Sequence, residues 1–184
     1  MIWKSRQLQL NGHELLLRTA GESDAEMLLQ YLKTTSGESR FLIREPEEIT
    51  LSVEEERRFI RSQNESERSL MLLGFLDGEH VGNCSLMGLQ PLRYRHRAEI
   101  AVALYQQYTG RGIGKIMLQE LFSAAEAKGF EQLELEVIAD NKRAIALYQK
   151  LGFEIFGTLP HNMKYRDGRY ADACFMMKRL QAGQ

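Results

Sequence analysis

The feature that most restricts this chain is a glycine-punctuated turn between two strand-like runs. AEIAVALY, residues 98–105, is built of small and branched residues and reads as a strand, and QLELEVIA, residues 132–139, alternates cleanly and reads as another. Between them TGRGIGKIML, residues 109–118, leads into a helix expected over 112–128, with Gly129 as the residue that ends it. Two strands separated by a full helix form a parallel crossover rather than a hairpin. That unit must sit at the centre of the fold.

The turn itself asks for a ligand. Gly110, Gly112 and Gly114 let the backbone come close to a bound group or take positive φ. A helix start adds unpaired N–H groups and partial positive charge, so a phosphate is the natural guest. Two familiar phosphate loops fail on spacing. The dinucleotide pattern G-x-G-x-x-G breaks at Met117, and the pattern G-x-x-x-x-G-K-[ST] has Thr109 for its first glycine and Ile116 for its hydroxyl. On the loop alone, a glycine turn with no ligand remains an open alternative.

The rest of the chain supplies a sheet around that centre. SRQLQL-NG-HELLLRTA and SLMLLGFL-DG-EHVGNCSLMGL each place apolar runs about an Asx-Gly pair, the signal of a β-hairpin. SDAEMLLQYLK has helical spacing with Ser23 expected as N-cap, and SVEEERRFIRSQ opens with a Ser52–Glu55 capping box. Residues 34–48 read as an exposed loop. DNKRAIALYQKLG is a short helix, and FEIFGTL and YADACFMMKRL are the closing strands. The expected fold is mixed α/β (α+β): one mostly antiparallel sheet flanked by helices, with the central β-α-β crossover, in a single domain over 1–184.

Composition excludes several classes. At 43% hydrophobic, 27% charged and net charge −1, the chain reads as soluble and globular, with no bulk attraction for nucleic acid or a membrane surface. No apolar run approaches the roughly 20 residues that span a bilayer, and MIWKSRQLQL lacks a signal-peptide core. Cys84 and Cys174, far apart and outside any C-x-x-C, suit a reducing cytoplasm, and the histidines form no ligand pair, so no metal is expected.

The meander, the glycine loop and LEVIADNKRAIALYQKLGFE together resemble the GNAT superfamily of acetyl-CoA-dependent N-acetyltransferases, over residues 15–180. The family's loop reads [QR]-x-x-G-x-[GA]; here Thr109 departs at the first position, while Gly112 and Gly114 match. N-x-x-A-I-x-L-Y-x-K-x-G-F matches from Asn141 to Phe153. The resemblance implies acetyl-CoA as cosubstrate, a small-molecule amine as acceptor, and a possible homodimer. It places the coenzyme A diphosphate on the backbone of Gly110, Arg111, Gly112, Ile113, Gly114 and Lys115. The pantetheine arm falls along Val102, Ala103 and Leu104, with the Asn141 amide beside it.

Acetyl transfer to an amine needs a neutral nucleophile and a proton for the departing thiolate. By resemblance Tyr148 supplies that proton; read from pattern alone, it is a core aromatic of its helix. Glu99 and Glu136 are the candidate bases, each with a plain alternative as a strand carboxylate facing solvent or paired with an arginine of RYRHR, residues 93–97. A water chain with no single base is the third option. The acceptor site is expected from residues 33–48 and 159–177, where Arg40, Phe41 and Arg44 suit a carboxylate and an apolar side chain. The run G-x-Y-x-D-A-x-x-M at 168–176 resembles bacterial enzymes that acetylate free L-amino acids. A protein N-terminus, a polyamine or an aminoglycoside stays open as acceptor, and so does a catalytically silent acyl-CoA-binding regulatory module.

Overall fold

A computed structural model describes residues 1–180 of the chain. Strands β1 (Arg6–Leu10) and β2 (His13–Thr19) form the first hairpin, and β3 (Ser69–Leu76) and β4 (Glu79–Gly88) the second. Both turns place two residues at positive φ, Asn11–Gly12 and Asp77–Gly78, the geometry that matches strand twist in a two-residue connection. Helices α1 (Ala25–Glu38) and α2 (Val53–Glu65) lie between the hairpins. Then follow β5 (Arg97–Leu104), α3 (Ile113–Ala127), β6 (Gln132–Ile138), α4 (Lys142–Lys150), β7 (Glu154–Lys164) and β8 (Tyr170–Arg179).

The strands form one eight-stranded sheet in the order β1-β2-β3-β4-β5-β6-β8-β7. Every neighbouring pair is antiparallel except β5 with β6, which is the expected parallel crossover around α3. The period of two along β3 divides its side chains between two cores. Leu70 and Leu72 join Met117, Leu121, Leu133, Ile145 and Tyr148 beneath α3 and α4. Met71 and Leu73 join Leu28, Tyr31 and Ile60 beneath α1 and α2. Cys84 and Cys174 are buried free thiols. Among the described residues, no helix is long and apolar enough to cross a membrane.

Three local expectations are corrected. Ser23 does not cap α1; it lies in a 3-10 turn, Glu22–Asp24, and Asp24 holds the N-cap position. Asp24 is drawn into place by Arg18, with Nη1 and Nη2 each 2.7 Å from its oxygens, and by the Gly21 N–H at 2.7 Å; a bidentate ionic pair outweighs a hydroxyl cap. Second, α1 continues to Glu38 through the stretch expected as loop. The Thr35 hydroxyl donates to the Tyr31 carbonyl at 2.8 Å and is buried there, so packing overrides a weak local propensity. Third, β7 runs five residues beyond the expected 153–159. Its register shifts between Leu159 and Met163. Pro160 falls in that irregular stretch of an edge strand, where a missing N–H is tolerated. The Ser52–Glu55 capping box forms as expected.

On α3, Glu120 is 3% exposed and fastens the start of the chain to the sheet. It accepts from Trp3 Nε1 at 2.7 Å and Arg6 Nη1 at 2.6 Å. Burial works to raise its pKa, but the hydrogen bonds from Arg6 and Trp3 win, holding it below the ordinary value of 4.5. A carboxyl with a depressed folded pKa adds stability above that ordinary value and loses it as pH falls through the folded one. Glu120→Leu should therefore cost about 2–4 kcal/mol in urea unfolding at pH 7, because it strands a buried donor and a cation. The gap between variant and parent should narrow as pH drops below 4.5. A constant gap across that range would show that the cost is packing alone.

Candidate active site

β5 and β6 run parallel for three residue pairs, Arg97 with Gln132, Ala98 with Leu133 and Glu99 with Glu134, and then separate. Beyond them β5 keeps its register with β4 as far as Leu104 opposite Gly82, and β6 with β8 as far as Ile138 opposite Ala173. A V-shaped gap opens between the carboxyl ends of the two central strands. Alternate residues of an antiparallel strand aim their amides at the same neighbour. The Tyr105 N–H donates to Val81 of β4 at 3.1 Å, so Ala101 and Ala103 face β4 as well. The Ala103 carbonyl also accepts the Tyr31 hydroxyl at 2.8 Å. By the same alternation Ile100, Val102 and Leu104 turn their amides into the gap. An extended ligand with amides of its own can add there as a strand does.

The two faces of the gap carry different chemistry. Ile100, Val102 and Leu104 pack with the α3–α4 core, and Tyr148 belongs to that same core. It is 7% exposed, with its ring edge-on to Phe153 at 5.8 Å. Burial, and then the neighbouring Cys84 thiol, push its phenol up to about 12. The pattern reading of Tyr148 as a core aromatic is therefore met. Asn141 caps α4, its Oδ1 accepting the Ala144 N–H at 3.2 Å, which leaves the amide nitrogen for a ligand.

Carboxylates occupy the opposite face. Glu99 ends the paired stretch, directly opposite Glu134. Arg97 grips Glu134 through Nε and through Nη2 at 2.5 Å, and Gln132 adds a bond at 2.6 Å; these hold the Glu134 carboxyl below its ordinary range. Thus the arginine of the basic loop serves Glu134, and Glu99 stays exposed at the vertex of the gap. Glu136, two residues further along β6, is exposed and accepts from Asn162 Nδ2 at 2.7 Å.

At the mouth of the gap lies the glycine turn. Gly110 and Gly112 both have positive φ, 84° and 87°, and Gly112 is the N-cap of α3. A side chain at Gly112 would meet no neighbour, so the requirement there is conformational alone. Ile113 and Gly114 are buried, whereas Arg111 and Lys115 are exposed. Neither α3 nor α4 has an acidic residue in its first turn; both have lysine or arginine there, against the preference of the helix dipole. Like charges gathered on two helix N-termini favour a nearby anion. Sequence reasoning overlooked Arg143. It donates from Nη1 to the Thr109 hydroxyl at 3.0 Å, and its Nη2 lies 2.9 Å from where a Gly110 Cβ would stand. A cation from α4 thus covers the loop position at which the family pattern would place Gln or Arg. The signal was available in the N-K-R opening of that helix.

The two segments expected to build an acceptor site do meet. Phe41 packs with Met163 and Tyr165 against Ile138, Ala171 and Ala173, at the far end of β6 and β8. Arg166 ties the β7–β8 turn to the α1–α2 loop through Glu45 at 3.3 Å and Glu47. The Arg40 guanidinium lies 5.0 Å from the Phe41 ring centre. Arg44 is exposed and within electrostatic reach of Glu56, whose carboxyl burial holds above its usual range.

Comparison with known proteins agrees with this geometry. Residues 30–153 match the model of the Acetyltransferase (GNAT) family. The chain is 32% identical over 110 residues to the L-amino acid N-acetyltransferase AaaT of Escherichia coli, a stretch covering 58% of this chain and 66% of that one. It is 32% identical over 104 residues to an L-methionine sulfoximine/L-methionine sulfone acetyltransferase of Pseudomonas paraeruginosa, covering 56% and 60%. The chain thus spans less than two thirds of the length of either relative. The crystal structure of an acetyltransferase of the GNAT family from Streptococcus pneumoniae superposes with a TM-score of 0.86 at 32% identity, covering 90% of this chain and 99% of that one.

The position of Arg143 is open to a direct test. Arg143→Ala should weaken coenzyme A binding about tenfold, the worth of one charge-assisted contact. The loss should be larger at low ionic strength, with the melting temperature unchanged. Titration calorimetry at two salt concentrations measures both, and equal affinities would mean that Arg143 only braces the loop.

Proposed function

Because this chain belongs to the GNAT family of acetyltransferases, we propose that it transfers an acetyl group from acetyl-CoA to the amine of a small molecule, an amino acid in particular. The observation that carries the proposal is the gap between β5 and β6, with a buried phenol on one face and exposed carboxylates on the other. Acetyl-CoA supplies an activated thioester. The residues that fit it are the positive-φ glycines and cations at the mouth and the inward amides of Val102 and Leu104 within. The diphosphate belongs at the backbone from Gly110 to Lys115, with Arg111, Lys115 and Arg143 adding charge. The Asn141 amide steadies the arm.

Proton handling divides between the two faces. An amine reaches the gap protonated and must lose a proton before it attacks. Glu99, at the vertex and in no ion pair among the described residues, is the better placed base; Glu136 shares its carboxylate with Asn162. Tyr148, on the opposite face, gives its proton to the departing thiolate. Its raised pKa keeps the phenol protonated through the whole physiological range, and solvent refills it after each turnover. The amino-acid acceptor is supported by Arg40 and Arg44 beside an apolar cluster, and by relatives named for L-amino acid and L-methionine sulfoximine acetylation.

A panel of amino acids, polyamines and peptides, read by release of free coenzyme A thiol, tests the reaction. Amino acids should turn over fastest. Tyr148→Phe should lower kcat by about 100-fold or more, the usual worth of a general acid, with the KM for acetyl-CoA changed by less than about threefold. In the parent enzyme, kcat should show no alkaline fall below about pH 11, since the phenol titrates near 12. An unchanged kcat in the variant removes Tyr148 from the acid role.

A further inference from the structure

The peptide unit between Ala103 and Leu104 is the last of β5 and stands at the wide end of the gap. A trans peptide points its carbonyl and its N–H in opposite directions within one plane. The Ala103 carbonyl is turned toward β4, where a Cβ on Gly82 would stand only 2.3 Å from its oxygen. The Leu104 N–H of the same plane therefore points away from β4, into the gap. Whatever fixes that carbonyl also fixes the direction of that amide.

A side chain from α1 does so. Tyr31 is 1% exposed, and its hydroxyl donates to the Ala103 carbonyl at 2.8 Å. The alternative acceptor, Asn83 Oδ1, is further off at 3.1 Å. The ring is seated independently of the hydroxyl, edge-on to His80 at 5.1 Å and to Tyr105 at 5.2 Å. Burial pushes the phenol's pKa up, so the hydroxyl stays a donor at any working pH. A buried tyrosine needs a partner, and many carbonyls could serve. What marks this one is its place. On the gap side β5 has lost the β6 ladder that would hold its peptides in line. Among the described residues, Ala103 is the one residue of β5 whose carbonyl accepts from a side chain.

We propose that Tyr31 is a positioning residue for acetyl-CoA: its hydroxyl holds the Ala103–Leu104 peptide so that the Leu104 N–H meets a carbonyl of the pantetheine arm. Tyr31 itself touches no ligand and acts through that one amide. The inference rests on the acetyl-CoA reading of the gap and adds the helix residue that aims its last amide.

The test compares the full chain with Tyr31→Phe, using coenzyme A and ADP, which carries the diphosphate without the arm. Titration calorimetry should show coenzyme A binding about fivefold weaker in the variant, the net worth of one neutral hydrogen bond, with ADP binding within about 1.5-fold of the parent. In amide NMR spectra of the parent, the Leu104 resonance should move when coenzyme A is added and stay when ADP is added. In the variant the shift with coenzyme A should shrink. If the variant is too unstable alone, saturating ADP stabilises its native state, and coenzyme A affinity is read by displacement. Equal coenzyme A affinity in the two proteins overturns the proposal. So does an equal weakening of coenzyme A and ADP, which marks a general loosening, and so does a Leu104 amide that ignores coenzyme A. The same samples separate the two levels. If coenzyme A binds as expected but no amine of the panel is acetylated, the transfer reading fails and the role of Tyr31 stands. If turnover is brisk and the variant binds coenzyme A as the parent does, acetyl transfer stands and the role of Tyr31 falls. A parent that binds no coenzyme A removes both.

Discussion

Beyond Glu99 and Glu134 the two central strands have no register with each other, although each still has a partner on its outer side. The separation costs the sheet a run of ladder bonds in its middle, where a continuous ladder would be most stabilising. It leaves a slot lined by backbone amides at the carboxyl ends of the two strands. The proposed site is arranged around it. The glycine turn follows β5, α4 lies where β6 ends, and the cluster around Phe41 lies where β6 ends against the start of β8.

Because a strand alternates its side chains, one slot acquires two environments. The face that shares its core with α3 and α4 is dry, and burial there holds the Tyr148 phenol neutral. The opposite face is open, and its glutamates keep the exposure that a proton acceptor needs. In the proposed mechanism the split between two parallel strands is what would set an acid and a base on opposite sides of the thioester, which no single helix or strand could do. The cations at the mouth follow a related logic. They oppose the dipoles of α3 and α4, and in the proposed function the diphosphate would offset both.

Much of this was legible in the linear chain where the chemistry is local. The Asn-Gly and Asp-Gly turns, the Ser52 capping box and the strand–glycine–helix–strand unit depend on residues within a few positions of one another, and they formed as read. The errors came where a distant partner intervened. Arg18 on β2 captured Asp24 and displaced Ser23 from the cap, and the packing of Thr35 carried α1 into a stretch of weak helix formers. Arg143 escaped notice for the same reason: it is an ordinary surface arginine until its neighbours are known.

By itself, then, the order of residues determined the two hairpins, the central crossover and the positive-φ glycine turn, since each follows from backbone preferences over short spans. Only the tertiary structure decided where the parallel strands part, which carboxylate Arg97 neutralises, and which cation stands over Thr109 and Gly110. Those outcomes depend on competition among groups far apart in the chain, settled by burial and geometry that no local pattern encodes.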